Sequence, residues 1–437
     1  MLIVLVLACR GVETGAPMQA AYRLITEEVW GGGDIVLVSA NFPTHDIPIR
    51  LILAGDTVPE HSRRADTVVF RAPAMSGTYR FDILPFMRPA ADSKDEVRVY
   101  GYSDYAEGPT IVGYVLQVPD VSPVPRVLVR SPNALLLVDL RYMSAVEILS
   151  REVLESNWGN CWTYQFGPGR SYRSNFTSLC GGIWQVLPEM RYEGPGAAGL
   201  STMQLAPERF VIWEGNFVRF RAPNSGGTPN VYGNEFVFDF RLSADRTRVT
   251  WTGMGVSVAE PDDPTLHGCP VFDDVGNVQY IVPAGGGRIY LCSAVFSPSG
   301  DTAFVSWQGQ DSGPHLYALS AAAGEFLDSV PLPSRDSYGG RVAVDPHHPW
   351  LFFAAQKSAL VGRTVVRSLE LVAVDRRTME VAGVMTTAAP QLLPAVELTL
   401  IAGGDAVYIV PVDFWDDGRS WERTMGRYRF DVLPLVD

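Results

Sequence analysis

The sequence predicts an all-β protein: a small N-terminal β-sandwich followed by a β-propeller of about seven blades, with six as the alternative. Three observations carry this. First, residues 293–332 break into short runs rich in β-formers, each bounded by turn residues, which is how antiparallel strands read. Second, turns between apolar runs recur near Asp245, Gly300, His348 and Gly404, spaced 55, 48 and 56 residues apart. A beat of that size points to radially repeated four-stranded sheets. Third, 41 glycines and 32 prolines suit a turn-rich chain better than a helical one.

Composition sets the outer bounds. A chain of 437 residues, 47% hydrophobic, can hold one large repeat domain plus a smaller one. Its net charge of −13 repels phosphate backbones, and no Lys/Arg cluster offsets it, so nucleic acid is not an expected partner. Lysine occurs only at Lys94 and Lys357.

In chain order, residues 1–9 are an apolar run closed by Cys9. Val6-Leu7-Ala8-Cys9 resembles a bacterial lipobox, in which the cysteine becomes the acylated N-terminus after cleavage. The basic part of a secretory signal is absent and the apolar core is minimal. Either the true start lies upstream or the run is a buried strand; the lipoprotein reading is preferred. The run is too short to span a bilayer. The other four cysteines fall into two local pairs, Cys161 with Cys180 and Cys269 with Cys292, 19 and 23 residues apart. That parity fits two disulfides in an oxidising compartment. Four buried free thiols are the alternative. There is no C-x-x-C and no histidine at ligand spacing beside any of them, so a metal site is not expected.

Residues 10–30 read as a tether with a short helix over 18–29, ended by Gly31-Gly32-Gly33. Residues 31–86 then alternate as strands do: Ile35 to Val38, Ile49 to Leu53, Thr67 to Phe70, Thr78 to Ile83. Ser39-Ala40-Asn41-Phe42, Ala54-Gly55-Asp56, Phe70-Arg71-Ala72-Pro73 and Gly77-Thr78-Tyr79 resemble the landmarks of the IPT/TIG immunoglobulin-like domain, although that family usually has glycine where Ala40 stands. The resemblance implies an Ig-like β-sandwich serving as spacer or binding module, without chemistry of its own.

Residues 95–437 make the propeller. The runs leaving the four turns begin at Arg248, Ala303, Trp350 and Ala406. Leu371 to Val381 is a strand, a polar turn and a second strand, and Leu135 to Ile148 repeats it upstream. Both resemble the outer hairpin of the YVTN/WD40-like repeat, whose families carry Asp and Thr/Gly in that turn. Strands near residues 96–102 are expected to pair with the terminal run 428–433, closing the ring and removing its open edge. Residues 155–235, with long Gly/Pro loops, are expected to form one irregular blade stapled by Cys161–Cys180.

Candidates for chemistry are few. Gly194-Pro195-Gly196-Ala197-Ala198-Gly199 satisfies G-x-G-x-x-G, but a proline sits inside it and a strand-like run follows, so a plain loop is expected. Asp413, Asp416 and Asp417 could converge on a hard cation such as calcium. Their spacing misses the D-x-[DN]-x-[DN]-G pattern, and a solvated hairpin tip is preferred. His347-His348, within Asp345-Pro346-His347-His348-Pro349, read as turn residues. H-E-x-x-H, G-x-S-x-G and Walker patterns are absent.

Trp158, Trp162, Tyr164, Arg170, Tyr172, Arg173 and Trp184 cluster in the irregular region. Aromatics with arginine are what recognition surfaces use, and they equally fill cores. The functional expectation is a non-enzymatic cell-envelope lipoprotein that binds protein or glycan through the propeller face carrying the 155–235 loops. The alternative is a propeller enzyme, a hydrolase or lyase with a site in the central channel and calcium as its cation. A purely structural surface protein is a third reading.

Overall fold

The computed structural model describes residues 21–433 apart from inter-strand stretches, among them 118–124, 151–162, 175–182, 195–200, 222–230, 258–266, 284–291, 390–396 and 413–421. Between 151 and 292 it describes little beyond strand backbones. The described residues contain strands and turns and no helix. The chain divides into two compact units, the first ending at Val99 and the second starting at Tyr100.

The first unit, expected as a sandwich over residues 31–86, is one nine-stranded sheet that folds over its own core and takes in residues from Ala21 to Val99. Its strands are β1 (Ala21–Leu24), β2 (Glu28–Trp30), β3 (Asp34–Val38), β4 (Arg50–Leu53), β5 (Asp56–Arg63), β6 (Thr67–Arg71), β7 (Gly77–Leu84), β8 (Arg88–Pro89) and β9 (Glu96–Tyr100). The fold-over comes from strands that change partner midway. The first half of β5 pairs with β4 and its second half with β6. Likewise β7 pairs with β4 from Phe81 onward and with β9 before it. Period-two alternation sends Ile35, Leu37, Leu51, Leu53, Val68 and Phe70 to one buried face. Tyr79 lies back over Gly77, whose φ of +145° and lack of space exclude a Cβ, and its hydroxyl donates to the Ser76 carbonyl at 2.6 Å.

The helix expected over 18–29 is instead two strands, β1 and β2, from Ala21 onward. Tyr22 and Leu24 are buried while Ala21 and Arg23 are exposed, a strand alternation that binds β1 to β3. Val29 and Trp30 are buried in β2. Burial of these side chains outweighs weak helix propensity.

The described residues of the second unit form seven four-stranded antiparallel sheets. Blade 1 spans 115–150, blade 2 spans 163–194 and blade 3 spans 201–234. Blade 4 spans 237–283, blade 5 spans 292–331 and blade 6 spans 337–388. Blade 7 takes Glu397–Ala402, Ala406–Val412 and Glu422–Asp431 from the end of the unit and its fourth strand, Tyr102–Val112, from the start. Short bridges, including one to the extra strand Val256–Ser257, link blades 3, 4 and 5. First strands of consecutive blades lie side by side from blade 1 through blade 7. One core cluster joins Val127, Val129 and Val138 of blade 1 to Ile401, Tyr408 and Met425 of blade 7, so the ring is closed. Another joins blades 5 and 6 through Phe304, Leu316, Leu351 and Phe353. The region expected to hold one irregular blade holds two, blades 2 and 3. Their strands have only four to six residues, which is why loops dominate that sequence.

Candidate binding surfaces

The strands of blade 2 contain five of the seven expected residues, Tyr164, Arg170, Tyr172, Arg173 and Trp184. Its strands Thr163–Gly167, Arg170–Ser174, Ile183–Leu187 and Arg191–Gly194 place Tyr164 opposite Arg173, Arg173 opposite Trp184, and Trp184 opposite Tyr192. Four positions, the outermost 28 residues apart, thus form one row across the sheet. Tyr172 lies opposite Gln165 and Gln185, one position out of that row, and Arg170 begins its strand opposite Gly167. Tyr192 was not singled out from the sequence, because only the register shows that it continues the row.

Trp158 and Trp162 lie outside the described residues, as do Asp413, Asp416, Asp417, Cys161, Cys180 and Cys9. Cys269 and Cys292 are described as backbone, in strands His267–Asp273 and Cys292–Phe296, both of which pair with Arg248–Gly253. Gly194 ends a strand and the next described strand starts at Ser201, so a strand and not a helix follows the glycine run. Among the described residues, no three His, Cys, Asp or Glu side chains converge to hold a metal ion.

One set of turns is described in side-chain detail. In blades 4, 5 and 6 the turn between first and second strands closes by a backbone bond across five residues: Ser243 to Arg248, Ser297 to Thr302 and Asp345 to Trp350, at 2.8–3.0 Å. Each leading side chain caps its turn. Ser243 Oγ accepts from Arg248 N, and Ser297 Oγ accepts from Thr302 N. Asp345, fully buried, accepts from His347 N, His348 N and His348 Nδ1 at 2.8–3.0 Å. The histidine pair is therefore a turn tied down by an aspartate, as its setting in the sequence suggests.

The turns between third and fourth strands repeat a second device. In blades 1 and 6 Asp139 and Asp375 each accept from the backbone N–H two residues on and from the arginine there, Arg141 or Arg377. Burial alone would raise both carboxyls, but the arginine and backbone bonds overcome it and hold them below the usual aspartate range. Four blades then share one inter-turn bond. The residue after the third strand donates to the carbonyl just before the second: Leu140 to Pro125, Ala321 to Asp301, Arg376 to Pro349 and Val432 to Asp405. Bonds of 2.8–3.0 Å at equivalent places mark a true repeat beneath dissimilar side chains.

Blade 7 is locked to blade 1 by Arg427. Its side chain is almost fully buried, pairs with Asp104 on the strand brought from the start of the unit, and lies over the Tyr408 ring. It also reaches the Arg141 carbonyl of blade 1 at 3.5 Å. Burial pushes the Tyr408 phenol far up, against the neighbouring Arg429 and Arg427, so it stays neutral.

These features define an all-β chain with a closed seven-bladed propeller. No family model matches the chain, and no curated protein sequence matches it either. Among solved structures it is similar to a chain of the mitotic checkpoint complex (10% identity, 77% of this chain and 95% of that one, TM-score 0.46). It is also similar to Kluyveromyces lactis Hsv2 (12% identity, 74% and 99%, TM-score 0.43). A third is the Cps50 (Swd1) β-propeller domain of Myceliophteria thermophila (10% identity, 75% and 100%, TM-score 0.44). At these scores the likeness assigns no relationship, and the propeller rests on the strand pairing itself.

Proposed function

We propose that the protein is a non-enzymatic binding propeller of the bacterial cell envelope, engaging a protein or glycan through blade 2 and its neighbouring loops. The observation that carries this reading is the row Tyr164, Arg173, Trp184 and Tyr192 across one blade. Rigid aromatic groups give contact area at low entropic cost, and arginine adds charge-assisted bonds. The net charge of −13 favours such partners over nucleic acid.

The envelope part of the proposal comes from the lipobox-like Val6-Leu7-Ala8-Cys9 and the even count of remaining cysteines. A photo-crosslinking residue placed at Tyr164 or Trp184 in the producing cell is expected to capture a discrete macromolecule. The same residue at exposed Tyr142 of blade 1 is the control. Equal capture at all three positions, or none at any, contradicts a blade 2 interface. In the same preparation, mass mapping is expected to show an acyl chain on Cys9 and peptides joined at 161–180 and 269–292. Free thiols at all four would end the oxidising-compartment argument.

A further inference from the structure

The second and third strands of blade 6 run twelve residues each, Trp350–Val361 and Thr364–Asp375. Their pairing continues outward past the rest of the blade. The first strand of the blade stops at Ser337 opposite Lys357, and the fourth stops at Ala388 opposite Ser368. Beyond that point Ser358–Arg367, Ala359–Val366, Leu360–Val365 and Val361–Thr364 form a two-stranded ribbon, with no third strand among the described residues.

The ribbon exposes what a solvated hairpin avoids. Leu360, Val361, Val365 and Val366 are 72%, 63%, 52% and 45% exposed. Directly opposed pairs share a face and successive pairs alternate. Leu360 with Val365 therefore occupies one face, while Ala359 with Val366 and Val361 occupy the other. Both faces are apolar at the tip, and an isolated two-stranded hairpin is marginal in water. Charge sorts the candidates for what covers it. From Pro346 to Leu369 there is no Asp or Glu, and Arg363 and Arg367 are cationic on a chain of net charge −13, while Lys357 at the base of the ribbon is paired with Glu370 at 3.3 Å.

We infer that this hairpin is a membrane-surface anchor that dips its tip into an anionic lipid bilayer. A flat protein surface covers one face of a ribbon, whereas an acyl–headgroup boundary surrounds both. A second copy of the chain would bring the same cationic tip against itself. Three residue pairs at ~3.3 Å each reach ~10 Å, the depth at which interfacial segments sit. Exposed Arg363 stands in the tip turn, from which a long side chain reaches lipid phosphate. Open strand edges cannot enter hydrocarbon, so insertion stops where those edges keep water.

The test uses the full chain carrying Cys9→Ser, so that no acyl group contributes, floated with vesicles of equal parts phosphatidylcholine and phosphatidylglycerol. Flotation is expected with these vesicles. The double variant Leu360→Asp/Val365→Asp should weaken it at least ~10-fold. Arg363→Glu should weaken it roughly fivefold on the mixed vesicles and leave binding to phosphatidylcholine alone unchanged. These positions are exposed, so circular dichroism and thermal midpoint should not move. A parent chain that does not float overturns the proposal, as do variants that float equally well. A self-associated chain dispersed by Leu360→Asp/Val365→Asp without vesicle binding would also overturn it, in favour of a second copy as the occupant.

Discussion

At the scale of the residue, the propeller is held by short side chains that finish turns. Asp375 illustrates the energetics. Its carboxylate satisfies a backbone N–H and grips Arg377, and its folded-state pKa lies below the unfolded value. A depressed aspartate contributes stability that is complete above about pH 4 and is lost as pH falls through the folded value. Asp375→Asn is expected to cost about 1 kcal/mol near neutrality in urea unfolding, with the gap to the parent closing in acid. A gap that stayed constant in acid would show the charge to be irrelevant. The turn around Asp375 was legible in the sequence because Val374-Asp375-Arg376-Arg377-Thr378 ends a β-rich run with polar residues. Asp345 was harder to see. Its work is to accept from backbone groups two and three residues ahead, and the eye goes to the histidines that supply those groups.

At the scale of the element, the sequence showed the first-to-second-strand turn of blades 4 to 7. There a serine, aspartate or glycine turn sits between two apolar runs, with second strands starting at Arg248, Thr302, Trp350 and Ala406. It concealed blades 2 and 3, whose strands are too short to show alternation over their loops. It also concealed the β1–β2 pair, where Tyr22 and Leu24 decide the conformation through burial that appears only in three dimensions. The third-to-fourth-strand turns show how one geometry tolerates unlike sequences. Met143, Met379 and Gly324 occupy the same place with φ of 53°, 51° and 68°. Glycine is relaxed there, whereas a methionine is strained by roughly 1–2 kcal/mol and is retained where its side chain is buried. Gly324→Ala adds that strain without comparable burial, so a loss of about 1 kcal/mol in thermal unfolding is expected. No loss would mean that the turn relaxes to another type.

At the scale of the whole molecule, the second unit is a ring whose last sheet is completed by a strand from its own beginning. The sequence suggested this closure, with residues 96–102 meeting 428–433. The structure places the partner slightly later, at Tyr102–Val112 against Glu422–Asp431. Residues 96–100 belong instead to β9, because Val97 and Val99 fill the core of the first unit. Closure explains why Arg427 is buried. It ties together the first strand of the unit, the last, and the turn of blade 1, three segments far apart in sequence. It also covers the blade faces that the two ends of an open array would leave exposed.

Thr110 and Thr424 stand directly opposite each other in that closing pair, and both are exposed. Opposed positions in antiparallel strands fall within the span of a disulfide. The most direct measurement is therefore peptide mapping of the oxidised Thr110→Cys/Thr424→Cys double variant. The account predicts an intramolecular bond joining those two peptides in the folded monomer. Two free thiols at those positions in a folded chain would contradict a ring closed by its own ends.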